Sequence, residues 1–221
     1  MTHDRHDVTG ILLAGGQSRR MFADITSRAA SQAVSDKGLL DLAGRPMLSR
    51  VAARLAPQVG RLVINANGDP TRFASFGLPV AADSVGGFVG PLAGVLAGMR
   101  WSLANAPAAR FVATVSTDAP FLPADLVARL AEPILRDGAE ITLAASAGEL
   151  HPVIGMWSVS LADNLAQALH DGVRKVLRWT GTHATSNVEF PLQMVRGRSV
   201  APFFNANTPE ELAEARSLLE D

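Results

Sequence analysis

The chain contains no cysteine, which excludes disulfides, iron–sulfur clusters and thiolate zinc sites. Its five histidines are scattered and suggest no histidine metal cage. Lysine is almost missing: of the 20 basic residues only Lys37 and Lys175 are lysine, and the rest are arginine. No apolar run approaches the ~18–20 residues that a membrane span needs. The opening Met-Thr-His-Asp-Arg-His-Asp is polar and lacks the apolar stretch of a secretory signal. Neither sign of charge dominates, the net charge being −1, so there is no general attraction for nucleic acid or an anionic membrane. Positive charge for an anionic substrate must therefore be gathered locally. What is present is 221 residues, 48% of them hydrophobic, enough for one ample core and short for two. The composition is that of a cytoplasmic α/β protein, expected to be a single domain over 1–221.

Strand and helix signals alternate along the chain. Residues 8–13 form an apolar run that enters Ala14-Gly15-Gly16, the pattern of a buried strand meeting a glycine turn. Further strands are expected at 61–65, 78–82, 111–115, 141–145 and 152–157, with a Gly148 turn between the last two. Helices are expected at 47–56, 91–103, 123–136, 160–170 and 173–179. The last helix starts at Thr208-Pro209-Glu210-Glu211, with Thr as cap, Pro in the first turn and Glu211 closing a capping box. This order predicts a Rossmann-like, three-layer α/β/α fold with a mostly parallel central sheet, whose ligands bind beyond the carboxyl ends of the strands. Gly15-Gly16, Asn65, Asp83 and Asp118 all follow strands.

Several of these residues suit phosphate chemistry. Gly15 and Gly16 let backbone N–H groups approach a ligand, and Arg19 and Arg20 carry guanidinium forks matched to phosphate oxygens. Lys37, in Asp36-Lys37-Gly38, adds a compact charge at one of the two lysine positions. The same residues also fit a plain strand–turn with surface arginines, and neither the Walker loop nor the dinucleotide fingerprint is met. Asp118 follows a strand and could hold Mg²⁺, which needs few carboxylates when substrate phosphates supply the other ligands. It also fits a turn in Asp-Ala-Pro. Asp83 can accept from ribose hydroxyls or from guanine N1–H and N2–H₂. Gly90 and Gly94 flank a helix start where N–H groups could face an anion, or where close packing is needed.

Leu13-Ala14-Gly15-Gly16-x-Ser18-x-Arg20-Met21 followed by Asp36-Lys37 resembles the start of the molybdenum cofactor guanylyltransferases, within the nucleotidyltransferase superfamily. The resemblance continues through Val63-Ile64-Asn65-Ala66-Asn67, Asp83-Ser84, Gly90-Pro91-Leu92-Ala93-Gly94, Asp118-Ala119-Pro120-Phe121, His151-Pro152 and Asn205-Ala206-Asn207-Thr208-Pro209-Glu210-Glu211-Leu212. It implies transfer of GMP from GTP to molybdenum-loaded molybdopterin, with pyrophosphate released and Mg²⁺ as cofactor. It further implies that Leu13, Ala14, Gly15, Gly16, Arg19, Asn65, Asp83, Gly90 and Gly94 bind nucleotide with Lys37 and Asp118. The catalytic group would be Lys37, Asp118 and Arg20, with the metal on Asp118. His151, Arg174, Lys175, Asn205 and Asn207 would hold the pterin, so that the N-terminal half serves the nucleotide and the C-terminal half the pterin. Cofactor-delivery proteins and molybdoenzyme chaperones are the implied partners, with no nucleic acid or membrane, and the chain is expected to be a monomer.

One departure stands out. Where the family has a few residues between Arg-Met and Asp-Lys, an Ala/Ser-rich insert runs from Phe22 to Ser35, expected as a flap or a helix extension at the mouth of the site. Competing readings are a cytidylyl- or sugar-phosphate nucleotidyltransferase and a GTP-binding module without catalysis.

Overall fold

The computed structural model describes residues 4–15, 36–84 and 90–219. Gly16, Arg19, Arg20 and the insert at 22–35 lie outside the described residues.

The strands are β1 (Val8–Leu13), β2 (Asp41–Leu42), β3 (Arg45–Pro46), β4 (Arg61–Asn65), β5 (Val80–Ala81), β6 (Phe111–Ser116), β7 (Ile141–Ser146), β8 (Glu149–Ser158), β9 (Thr185–Glu189), β10 (Gln193–Val195) and β11 (Arg198–Val200). The α-helices are α1 (Met47–Leu55), α2 (Pro91–Asn105), α3 (Leu126–Asp137), α4 (Ala162–His170), α5 (Val176–Thr180) and α6 (Pro209–Ser217). The main sheet has seven strands in the order β5-β4-β1-β6-β8-β7-β9. Only β8 runs against its neighbours; the other pairings are parallel. The expected mostly parallel, three-layer architecture is borne out.

The first strand decides where the site falls. The chain places β4 on one flank of β1 and later returns β6 to the other, so the strand order reverses there. Such a reversal opens a crevice beyond the carboxyl ends. The registers pair Leu13 with Asn65 on one side and with Ser116 on the other, and Asn65 with Ala81. Four strands thus end level, and residues far apart in sequence line one edge.

Alternating side chains serve the two faces. Val8 and Leu12 pack with Leu48, Val51 and Leu55 of α1 and with Leu126 and Leu130 of α3. Ile11 and Val63 pack with Leu92, Leu96 and Met99 of α2, Leu165 and Leu169 of α4, and Trp157. Each fully buried leucine of this kind is worth about 1.5–3 kcal/mol. Arg54 shares the helical spacing of α1 but faces outward, where it donates to Leu122 O at 2.9 Å.

A third cluster holds Leu42, Met47, Phe121, Val200, Leu212 and Ala215. It fastens α6 and the β10–β11 hairpin near the start of α1. By this packing the segment just ahead of α6 is held at the carboxyl edge of the sheet, where Ala206 N donates to Asp118 O.

Two expectations need adjusting. His151 lies inside β8 rather than ahead of it, because the strand starts at Glu149 after a two-residue turn at Ala147 and Gly148, both at positive φ. Strand β9 and the β10–β11 hairpin are additions to the sequence reading. Among the described residues no helix is long and apolar enough to cross a membrane.

Candidate nucleotide-binding site

A cavity of about 320 Å³ opens at the level strand ends, lined by Leu13, Gly15, Asn65, Asn67, Asp83, Gly90, Pro91, Gly94, Ser116 and Val153. Its floor is Asn65, buried at the end of β4. The Asn65 amide nitrogen donates to Ala81 O at 3.1 Å and to Asp83 Oδ1 at 2.9 Å. Its amide oxygen lies under the start of α2, where a Cβ on Gly94 would overlap it. Glycine is required there because helix and amide occupy the space of a side chain.

Asp83 is held from both sides. Its second oxygen accepts from Asn67 Nδ2 at 2.7 Å, and its backbone N–H donates to Asn67 Oδ1 at 2.9 Å. The amides use one acceptor direction on each carboxylate oxygen, and an ionised carboxylate has more to offer. Gly90 caps α2 at φ 77°, which a side chain would strain, and Pro91 occupies the first turn. Ala14 is not an open donor: its N–H donates to Asn65 O at 2.9 Å.

A cationic corner adjoins this cavity. Lys37 begins a 3-10 turn (Lys37–Leu39), and Gly38 lets that turn press on Thr117, where a Cβ would come within 3.0 Å of Oγ1. Lys37 Nζ donates to Asn207 Oδ1 at 2.5 Å and lies 3.7 Å from Asp118 Oδ2. Lys37 and Asp118 are only 14% and 15% exposed, so their attraction is less screened than on an open surface. The Ser116 hydroxyl donates to the other Asp118 oxygen. Asn207 arrives by the capping box of α6: Glu211 Oε2 accepts from Asn207 N at 2.7 Å and from Thr208 N at 2.9 Å. Ala206 N also donates to Asp118 O at 3.2 Å. Lys37, Asp118 and Asn207 therefore meet.

His151 and Asn205 sit on another side. The antiparallel course of β8 brings its first residues to the carboxyl edge of its neighbours. There the His151 ring lies 4.9 Å from the Phe203 ring, and its Nε2 is 2.8 Å from Ser146 Oγ. Burial lowers the His151 pKa from its usual range, against the opposing pull of Glu149 and Glu189. Asn205 Oδ1 is buried without a hydrogen-bond partner among the described residues. Arg174 and Lys175 are exposed, and the Arg174 carbonyl lies by Gly90, 3.8 Å from where its Cβ would stand. The Arg174 backbone thus borders the Gly90 end of the cavity, while its guanidinium donates to Leu169 O at 2.6 Å and Val173 O at 2.9 Å.

Sequence reasoning did not single out Asn67, Ser116, Pro91 or Val153 as site residues. Asn67 and Ser116 stand two residues from Asn65 and Asp118, a spacing that could have drawn attention to them. Val153 gave no signal, because its place depends on how β8 pairs. Among the described residues no group of three or more His, Cys, Asp or Glu side chains forms a protein-only metal cage. A lone aspartate, Asp118, beside Lys37 suits at most a hard cation whose other ligands come from outside the protein.

A crevice at the switch point of a mostly parallel sheet, with a lysine and an aspartate at its edge, is an arrangement that a nucleotidyltransferase domain can use. In agreement, residues 10–186 match the MobA-like NTP transferase domain. A molybdenum cofactor guanylyltransferase of Rhodopseudomonas palustris (strain BisB5) is 48% identical over 97% of this chain and 95% of its own length. Among solved structures, molybdopterin-guanine dinucleotide biosynthesis protein A from Archaeoglobus fulgidus aligns with a TM-score of 0.66 at 20% identity, covering 96% of this chain and 98% of that one. Rv0371c from Mycobacterium tuberculosis, in a complex with manganese, aligns with a TM-score of 0.61 at 16% identity, covering 96% and 98%. The chain belongs to the molybdenum cofactor guanylyltransferase family.

Proposed function

We propose that the chain transfers GMP from GTP to molybdenum-loaded molybdopterin, forming the guanine dinucleotide cofactor. A phosphate oxygen of the pterin substrate attacks the α-phosphorus of GTP; the bond from that phosphorus to the β-phosphate bridging oxygen breaks, and pyrophosphate leaves. The observation that carries this reading is the meeting of Lys37, Asp118 and Asn207 beside the cavity floored by Asn65 and Asp83. Displacement at phosphorus asks the protein mainly for positioning and for charge stabilisation.

Asp83 and Asn65 hold the guanosine, Asp83 through its open acceptor directions. Leu13 and Gly15 line the wall against which the nucleotide lies, with Ala14 between them, and Gly90 and Gly94 bring the start of α2 up to it. Lys37 neutralises phosphate charge. Gly16, Arg19 and Arg20, outside the described residues, bind phosphate in this reading, with Arg20 in the catalytic group. Asp118 holds Mg²⁺, and the relative solved with manganese is in keeping with a divalent ion. When bound, that ion supplies charge neutralisation at the phosphate oxygens. Asn205, whose oxygen has no partner among the described residues, and His151, Asn207, Arg174 and Lys175 serve the pterin; a pterin N–H donor would satisfy Asn205 Oδ1.

The test is pyrophosphate release from GTP and Mg²⁺, with and without metal-loaded molybdopterin. Release dependent on the pterin is expected, with GTP preferred over CTP. Asp118→Asn is expected to lower kcat by about a hundredfold or more while the fold is kept. Normal Mg²⁺-dependent turnover by that variant would remove Asp118 from the metal site.

A further inference from the structure

Arg72 lies on the 3-10 helix Pro70–Phe76, between β4 and β5, and its guanidinium joins separate parts of the chain. Nε donates to Asp36 Oδ2 at 2.5 Å, Nη2 donates to Asn67 O at 2.6 Å, and Nη1 donates to Asp69 O. The group also stands over the Phe73 ring, 4.5 Å from its centroid. Asp36 immediately precedes Lys37, and Asn67 is the residue whose side chain grips Asp83. One planar fork therefore connects the lysine-bearing turn to the carboxylate clamp. Arg72 does not itself line the cavity.

We infer that Arg72 is a positioning residue that sets the distance between the phosphate-binding Lys37 and the nucleoside-binding Asp83. The inference rests on the nucleotide assignment proposed above. GTP carries its phosphates and its nucleoside on one covalent frame, so both grips must be spaced to match it. A guanidinium fixes both direction and distance between its partners, whereas an ammonium on a flexible stem does not. The Asp36–Arg72 pair is also shielded, at 10% and 24% exposure, so it is less screened than an open surface pair. Holding the 3-10 helix would need only the local bond to Asp69. The bond to Asp36, 36 residues away in sequence, is the one that reaches the lysine-bearing turn and so ties the two grips together.

The test combines GTP binding at equilibrium with steady-state kinetics on wild type, Arg72→Lys, Arg72→Ala, Asp36→Asn and the Arg72→Ala/Asp36→Asn double variant, all well below their melting temperatures. Arg72→Lys keeps the charge and loses the fork. It is expected to raise the KM for GTP between about tenfold and a hundredfold and to lower kcat, with no rescue relative to Arg72→Ala. The double variant should be no worse than the weaker single variant, the non-additivity of residues acting through one bond. A lower melting temperature with wild-type KM and kcat would make Arg72 a structural brace and overturn the inference. So would full rescue by lysine or simple additivity. Absence of GTP binding by the wild-type chain would instead defeat the nucleotide assignment, and this inference with it.

Discussion

At the scale of single residues, two glycines of α2 separate packing from binding. A Cβ on Gly98 would come within 2.7 Å of the Ile11 side chain, in the core. A Cβ on Gly94 would overlap Asn65 Oδ1 and come within 2.8 Å of Leu13 Cδ2, at the cavity floor. Both changes to alanine overpack, at about 1–3 kcal/mol each, offset in part by better helix propensity. Only Gly94→Ala should also raise the KM for GTP, by about tenfold or more, because displacing Asn65 disturbs its bond to Asp83. Paired melting and kinetic measurements on the two variants check this, and equal KM values would count against Asn65 as the floor of the nucleotide site. His151 offers a second residue-level expectation. Burial holds its pKa below 6.5, so the folded state favours the neutral ring. The unfolded chain then takes up a proton first as the pH falls. The stability it contributes is complete above pH ~6.5 and is lost as the pH drops through the depressed folded value. Urea midpoints at pH 7.5 and 5.5 should therefore fall further apart in wild type than in His151→Gln.

At the scale of elements, α6 does more than close the chain. Its capping box fixes Asn207, because Glu211 accepts from the Asn207 and Thr208 N–H groups together. Asn207 in turn accepts from Lys37. Glu211→Ala is expected to cost about 1 kcal/mol in denaturant unfolding, the usual loss for a cap. It should also lower kcat severalfold, through Lys37, whereas Thr208→Ser keeps the cap and both properties. This element was legible from the chain alone: Thr208, Pro209 and Glu211 are local signals, as are the apolar run of β1 and Pro91 at the start of α2. Strand β9 was not. Its sequence Thr-Ser-Asn-Val-Glu is polar at four of its five positions, and it is a strand because β7 offers it an edge. The β10–β11 hairpin turns at Arg196 and Gly197, both at positive φ, a cue confined to one glycine. The same distinction runs through the site. Asn65, Asp83 and Asp118 could be picked out because each ends or follows a strand. The Asp36–Arg72–Asn67 connection could not, since nothing in local pattern joins positions brought together by the path of the chain.

At the scale of the molecule, ligand binding should be visible as stability. The proposed GTP contacts span Leu13 on β1, the Lys37 turn, Asn65 on β4, Asp83 after β5 and Asp118 after β6, and the last of these is bonded to Ala206 ahead of α6. A ligand that touches all of them binds the folded chain and has no counterpart site in the unfolded one. At a hundred times its Kd such a ligand stabilises by about 2.7 kcal/mol. For a chain of this size each kcal/mol raises Tm by about 2–4 °C, so saturating GTP with Mg²⁺ should raise it by roughly 5–10 °C. CTP at the same concentration should shift Tm less, since the proposed role of Asp83 is to accept from the N1–H and N2–H₂ edge that cytosine lacks. Asp83→Ala should abolish the difference between the two nucleotides even where some shift survives through Lys37 and the phosphates. Differential scanning calorimetry across these pairs reads both effects. Equal shifts for GTP and CTP in the wild-type chain would mean that Asp83 meets the ribose rather than the base, and that selection of guanine lies elsewhere in the crevice.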